Sequence, residues 1–244
     1  MIYVSMTTIP SRIKNLSKSV ESLMNQTQKP DKIFINIPLA YKRFKETIEN
    51  EQIPKFDTDL VEIIRCDDCG PGTKLLGSID KLKKNSLVIL ADDDNCYEDY
   101  MIEKFYYYYS LSPENSYSFY VHPLGNFGIG QGADGFAINT NNLTGIRNFY
   151  DEVVRDNNNL FVHDDLWISY FLFFIKKKKI LSLQEQIKIK KEYGKKSLIY
   201  QTHTPSHGLI STYGKNLRES IIKRDQIALQ SLVYMKEKTK KLSF

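Results

Sequence analysis

The sequence predicts an α/β protein, a central and mostly parallel sheet flanked by helices. Two observations carry this. Strand-like and helix-like segments alternate through the first hundred residues, and repeated β-α-β units give parallel strands with right-handed crossovers. The second and fourth strand-like runs, "KIFINI" and "SLVILA", are apolar throughout, which suits a sheet covered on both faces. The 244 residues fit one domain, with no repeat and no low-complexity linker to divide them. Within it, 1–100 forms the half that holds a ligand and 101–244 the half that completes the site.

Each element has its local reason. "IYVSM" reads as the first strand. Ser11 is placed to cap a helix whose Ile13, Leu16, Val20 and Leu23 share one face. "KIFINI" closes at Pro38, a helix-like stretch follows over 41–50, and "LVEIIR" at 60–65 is the third strand. In "TKLLGSIDKLK", Leu75, Ile79 and Leu82 align as on a helix, and "SLVILA" is the fourth strand. The alternation then breaks. A helix is expected over 97–111, where four consecutive Tyr must point all round and so serve core and rim packing. "SYSFYVH" and "FAIN" read as strands on either side of the Gly-rich loop "LGNFGIGQGADG". "NNLTGIRNFYDEVV" has helical spacing, and "HDDLWISYFLFFI" reads as a helix that opens on its acidic pair. Short strands are expected in the Lys-rich stretch 176–196, a loop at "HTPSHGLIS", and a terminal helix over 215–238.

Composition narrows the function classes. The net charge of +5 is too small for nucleic-acid binding and suits an anionic ligand. The longest apolar run, "LWISYFLFFI", is too short to span a bilayer, and no signal peptide precedes the first strand, so a cytoplasmic location is expected. Three Cys are an odd count that argues for reduced thiols. The C-x-x-C of Cys66 and Cys69 lacks the second ligand pair of a zinc site.

Six constellations bear on chemistry. Asp92, Asp93 and Asp94 follow a buried strand directly, where ligands of open parallel sheets bind. In an extended chain Asp92 and Asp94 would converge while Asp93 points away, offering hard oxygens to Mg²⁺ or Mn²⁺; the bland reading is a solvated acidic turn. "CDDCGPGTKLLG" puts Gly and Pro before a helix N-terminus, with Lys74 as a mobile cation, but lacks Walker spacing. "TTIPSR" offers hydroxyls, a rigid Pro and a guanidinium at the same sheet edge. "GNFGIGQGADG" has the wrong spacing for a dinucleotide fingerprint, and its Gly residues permit close approach of backbone to a ligand. In "VHDDLW", one of Asp164 and Asp165 suffices to cap the helix, leaving the other free to act as a base. His203 and His207 share one polar loop, from which either could complete a metal shell.

Together these pieces resemble the nucleotide-sugar-dependent glycosyltransferases of the GT-A, Rossmann-like fold. The matching pieces are "VSMTTIPSR", the D-x-D type motif of Asp92, Asp93 and Asp94, and "HDDLWIS". The last is similar to the Glu-Asp pair of inverting, family-2-like members, with Asp164 in place of Glu. "TTIPSRI", "GPGTKLLG" and "HDDLWISYFL" also resemble small single-domain enzymes of large DNA viruses and microbes. The resemblance runs from about residue 2 to 174. It implies that Asp92 and Asp94 bind a Mn²⁺ or Mg²⁺ that bridges the donor diphosphate, with His203 a further candidate ligand. It implies that Asp93 touches the ribose or donor sugar, and that Thr7, Thr8, Pro10, Arg12 and Asp68 line the nucleoside pocket with Lys74 nearby. The Gly-rich loop would border the donor sugar. Asp165 would be the general base for an inverting transfer, the choice against Asp164 staying open.

The implied donor is a nucleoside-diphosphate sugar, with UDP-sugar favoured, and the acceptor a glycan, glycolipid or protein. Peripheral membrane contact through 176–196 stays open beside a plain solvated face. Three rivals remain at this level: a retaining transferase with a metal-bound His, a sugar nucleotidyltransferase, and a non-catalytic carbohydrate-binding module. The loop "TTIPSR" has no Gly, which counts against the nucleotidyltransferase.

Overall fold

The computed structural model describes residues 1–186, 198–203 and 217–242. Its strands are β1 (Ile2–Thr7), β2 (Lys32–Pro38), β3 (Val61–Cys66), β4 (Leu87–Leu90), β5 (Asn95–Tyr97), β6 (Ser116–Ser118), β7 (Val121–Leu124), β8 (Phe127–Gly130), β9 (Phe136–Asn139), β10 (Ile180–Ser182) and β11 (Ile199–Thr202). Seven of them form one sheet in the order β10-β6-β9-β4-β1-β2-β3. β1 pairs in parallel with both β2 and β4, β2 with β3, and β6 with β10. β9 runs antiparallel to its neighbours β4 and β6 and is the single reversed strand. The sheet is therefore mostly parallel and flanked by helices, the α/β architecture expected.

Alternation along the strands fills both faces. Tyr3, Phe34, Val88, Leu90 and Phe136 point to one side, where they pack with Leu75, Phe149, Trp167 and Phe171. Val4, Met6, Ile33, Ile35 and Ile89 point to the other, against Leu16, Val20, Leu23, Met101 and Phe105. These side chains are almost wholly buried, and each contributes roughly 1.5–3 kcal/mol by leaving water.

Several local expectations change. Ser11 caps nothing. Pro10, whose fixed φ suits a first helical position, opens a 3₁₀ turn over Pro10–Asn15, and α1 (Leu16–Met24) follows with no side-chain cap. No helix forms over 41–50, because tertiary partners take its polar groups: the Lys42 N–H donates to the Asp68 carboxylate at 2.7 Å, and the Ile48 carbonyl accepts from Arg65. The helix at 73 is one short turn, α2 (Thr73–Leu76). It stops at Gly77, where a Cβ would stand 2.6 Å from the Asn36 side chain.

The helix expected over 97–111 is β5 followed by α3 (Met101–Leu111). Part of the Gly-rich loop is strand β8, paired with β7 as a hairpin. After α4 (Ile146–Phe149) and α5 (Asn158–Phe161), α6 (Asp164–Tyr170) starts at the acidic pair as expected and continues helically to Ile175. The terminal helix spans Leu217–Lys240. The loop around His207 lies outside the described residues. Among those described, no helix is long and apolar enough to cross a membrane.

One polar network inside the sheet bears on the site. Ser5, at 0% exposure on β1, donates to the Lys74 carbonyl at 2.5 Å and meets the Ser78 hydroxyl at 2.9 Å. The Asn36 amide donates to the Ser5 hydroxyl and to the Met6 and Lys74 carbonyls. α2 is thus fastened to the centre of the sheet through hydrogen bonds that would be costly to leave unmade.

Candidate active site

Strand order locates the site. From β1 the chain moves outward to β2 and β3, then returns to place β4 on the other side of β1. The carboxyl ends of β1 and β4 therefore flank a topological switch point, where open α/β sheets bind ligands. A cleft of about 620 Å³ opens there, with Thr7, Thr8, Arg12, Asp68, Lys74, Asp92, Asp93, Asp164 and Asp165 in its wall. Residues from four separated sequence motifs thus meet in one place.

The acidic triplet is a turn rather than an extended segment, so strict alternation does not apply to it. Asp93 accepts from the Thr8 hydroxyl at 2.6 Å and from Arg12 Nη1 at 2.9 Å. Asp94 meets the other arm of the same guanidinium, 3.2 Å from Nη2. Asp92 turns the opposite way, to Lys74 Nζ at 2.5 Å. The expected convergence of Asp92 and Asp94 is therefore replaced by an Arg12 fork that holds Asp93 and Asp94. Asp94 stands outside the cleft wall.

Lys74 links the two acidic motifs. Its ammonium lies 2.5 Å from Asp92 Oδ1 and 3.2 Å from Asp164 Oδ2, with the side chain only 6% exposed. The Asp164 contact is one of charge, since that oxygen has no hydrogen-bond partner of acceptable geometry. Burial works against the Lys74 charge, but Asp164, Asp92 and Asp165 outweigh it and hold the ammonium firmly protonated. Burial likewise pushes Asp92 up, yet Lys74 prevails and keeps this carboxyl below its ordinary value.

Asp165 behaves differently. Burial raises its carboxyl well above the usual range, Asp164 adds to the push, and Lys74 only restrains it. Asp165 Oδ1 accepts from the Gly132 N–H at 3.0 Å. A Cβ at Gly132 would stand 3.2 Å from Lys74 Nζ and 3.3 Å from Asp165 Oδ1, so this glycine lets the backbone reach the carboxylate. A carboxylate with raised proton affinity, held by one oxygen in a cleft, suits a general base.

The remaining expected residues are placed as follows. Thr7 donates its hydroxyl to the Asn36 carbonyl, and Pro10 shapes the loop without entering the cleft wall. Both Asp68 oxygens are engaged by backbone N–H groups, of Lys42 and Gly70, and so organise the loop. His203 is not brought to the cleft. Its N–H donates to the Asp94 carbonyl at 2.8 Å, but its ring meets the Cys96 thiol at 2.7 Å in a separate cleft of about 460 Å³. Cys66, Cys69 and Cys96 are free thiols.

Tyr41, Arg43, Phe44, His163 and Arg224 also line the main cleft and were missed from the sequence. The first three fell within the expected helix over 41–50. An aromatic pair three residues apart, just past the end of a parallel strand, was the available signal.

The donor set suits a divalent cation that arrives with phosphate. In the linked cluster, five carboxylates (Asp92, Asp93, Asp94, Asp164 and Asp165) face two cations, Arg12 and Lys74, a formal surplus of three negative charges. Arg43 and Arg224 in the same cleft wall offset part of it for an anionic ligand. A Mg²⁺-like ion asks for one or two carboxylates when substrate oxygens complete its shell. Among the described residues no three His, Cys, Asp or Glu side chains are grouped to hold a metal ion.

No family model and no curated protein matches the sequence. Solved structures do match in shape. The S. aureus TarS fragment 1–349 in complex with UDP-GlcNAc aligns with a TM-score of 0.51 at 9% identity, covering 99% of this chain and 73% of that one. A second structure of the TarS fragment 1–349 gives 0.50 at 11% identity, with 99% of this chain and 72% of that one covered. The 2-C-methyl-D-erythritol 4-phosphate cytidylyltransferase (IspD) of Francisella tularensis gives 0.47 at 11% identity over 74% of this chain and 88% of its own. The TarS likeness, with the sheet order above, gives this chain a GT-A-like, Rossmann-like fold.

Proposed function

We propose that this protein is a glycosyltransferase that moves a sugar from a nucleoside-diphosphate sugar to an acceptor hydroxyl, with inversion at the anomeric carbon and Asp165 as the general base. One observation carries the reading. A half-buried carboxylate of raised proton affinity, Asp165, lies next to Asp164, which a single lysine joins to an acidic turn at the switch point of the sheet. UDP is the favoured donor nucleotide, in keeping with the UDP-GlcNAc bound by the TarS fragment of similar fold.

Roles follow from position. Tyr41 and Phe44, half-buried in the cleft wall, suit a nucleobase, with Thr7 and Thr8 beside them. Arg12 and Lys74 supply positive charge toward the diphosphate, and Asp93 braces Arg12. Asp92, which faces the cleft, would hold a Mg²⁺ or Mn²⁺ that comes with the donor, while Asp94 acts through the Arg12 guanidinium it pairs with; when bound, such an ion neutralises charge on the departing nucleoside diphosphate.

The acceptor oxygen forms a bond to the anomeric carbon as the bond from that carbon to the phosphate oxygen breaks. The bonding pair leaves with the nucleoside diphosphate, and the acceptor proton passes to Asp165. That proton transfer is worth roughly 10²–10⁴ in rate. Attack opposite the leaving group gives inversion.

The test is calorimetric titration of UDP, GDP and CDP, each with and without Mn²⁺, repeated with Asp92→Asn and Asp94→Ala. The expected result is UDP binding that needs Mn²⁺ and weakens in the variants, with no saturable heat for Mn²⁺ alone. Absence of nucleotide binding under every condition overturns the reading. Release of pyrophosphate from a sugar phosphate and a nucleoside triphosphate would replace it with a nucleotidyltransferase.

A further inference from the structure

A second, smaller cavity of about 150 Å³ adjoins the main cleft at Asp165, with no residue of the triplet in its wall. It sits between the β7–β8 hairpin, α6 and the terminal helix. Val162, His163, Asp164, Asp165 and Arg224 line both spaces, so Asp165 stands where the two meet. The floor is apolar, made by Ile129, Leu166 and Ala228, all buried. The rim is polar. Asp225 Oδ1 lies 3.1 Å from His122 Nε2 and 3.2 Å from both Nε and Nη2 of Arg224. Arg224 Nη2 is itself 3.1 Å from His122 Nε2.

We infer that this cavity is the acceptor subsite and that it takes a neutral sugar ring. The inference rests on the glycosyltransferase reading and deepens it. A base in a displacement must touch the attacking hydroxyl, while the donor diphosphate belongs with Arg12 and Lys74 on the other side. The small cavity has Asp165 in its wall but neither Arg12 nor Lys74, so a hydroxyl held there adjoins the base away from those two cations.

Its chemistry also fits. Ligand sites combine an apolar surface with a few placed polar groups, and a sugar presents a C–H face together with a rim of hydroxyls. The charge of Arg224 is balanced by Asp225, so the cluster offers no surplus cation to an anionic acceptor. His122 and Asp225 stand outside the donor cleft wall, which makes them acceptor-side determinants rather than parts of the donor site.

The test uses saturation-transfer NMR on the full chain, run with and without UDP. The probes are methyl β-D-glucopyranoside, methyl β-D-galactopyranoside and methyl α-D-mannopyranoside, with methyl β-D-glucuronide as the anionic counterpart. At least one neutral glycoside should receive saturation in the native protein. Asp225→Asn and His122→Gln should each weaken it about tenfold, the size expected when a partly buried hydrogen-bond partner is lost.

UDP affinity by calorimetry should be unchanged in both variants. His122→Gln keeps a polar donor, so a folding defect confined to Asp225→Asn would still leave one arm to decide. Equal glycoside signals in native and variant proteins, no signal in the native protein, or preference for the glucuronide would each overturn the subsite. Loss of UDP binding in the native protein would instead strike the donor reading, and the glycoside comparison without UDP would still decide this one.

Discussion

Replacing Lys74 by Met removes the cation that joins the two acidic motifs while keeping most of the side-chain volume. Its ammonium lies 2.5 Å from Asp92 and 3.2 Å from Asp164, and the Lys74 side chain is 6% exposed. At an effective dielectric near 20, a unit pair at 4 Å is worth about 4 kcal/mol, and these pairs are closer. Desolvation cancels much of this, and breaking a buried pair costs about 3–5 kcal/mol net. Asp92 is 29% exposed and regains water in the variant, which favours the lower end, about 3 kcal/mol.

The loss should lower Tm by about 6–12 °C in a chain of this length. The pH dependence has a definite sign. Asp92 has a lowered carboxyl in the folded state, so its pairing stabilises above an unfolded value of about 3.9 and fades as pH falls through the folded value. The native and K74M proteins should therefore differ by a steady amount from about pH 5 to pH 8 and converge only below pH 4, where Asp92 protonates in the folded state. Urea unfolding at several pH values reads this directly. Adding Asp92→Asn to K74M should recover about 1–2 kcal/mol, since partners in contact couple by roughly that much. Equal stability of K74M and native protein at pH 8, or strict additivity of the two substitutions, would refute the argument.

Asp165→Asn should reduce transfer by about 10²–10⁴ and yet stabilise the fold at pH 8. A raised folded carboxyl contributes stability below the unfolded value of about 3.9 and loses it as pH rises through the folded value, so the ionised group is a liability at pH 8 and the gain should vanish near pH 4 in urea titrations. Gly132→Ala places a Cβ 3.2 Å from Lys74 Nζ and 3.3 Å from Asp165 Oδ1; initial rates should fall while Tm moves little. Arg12→Lys replaces a two-armed donor with a point charge that cannot serve Asp93 and Asp94 together, and UDP affinity by calorimetry should fall about tenfold.

The parallel core was legible because continuous apolar runs such as "SLVILA" have one good solution in a sheet covered on both faces. Asp92, Asp93, Arg12 and Lys74 were legible as cleft residues because each follows the end of a strand, and Asp165 because an acidic pair opens a helix that needs only one of them as a cap. What stayed hidden depends on long-range contacts. The segment 41–50 has helical spacing, yet Thr8, Asp68 and Arg65 claim its polar groups. The triplet's orientation depends on a turn and on Arg12, 81 residues away in sequence from Asp93. Asp225 and His122 meet across 103 residues, between a hairpin and a terminal helix whose packing no local pattern announces.

The serine at the middle of β1 bears on how this protein could be re-engineered. A hydropathy profile marks Ser5 as a flaw in a greasy strand, an obvious place for Val or Ala in any programme of core filling. Either replacement would leave the Asn36 amide and the Ser78 hydroxyl short of a partner and would hold the carbonyl of Lys74 by the longer Asn36 bond, at 3.2 Å, in place of the Ser5 hydroxyl. The damage would surface one residue layer above, as a lysine no longer aimed between two aspartates. A gain sought in thermal tolerance would then be read out as lost catalysis, with every residue of the cleft wall unaltered.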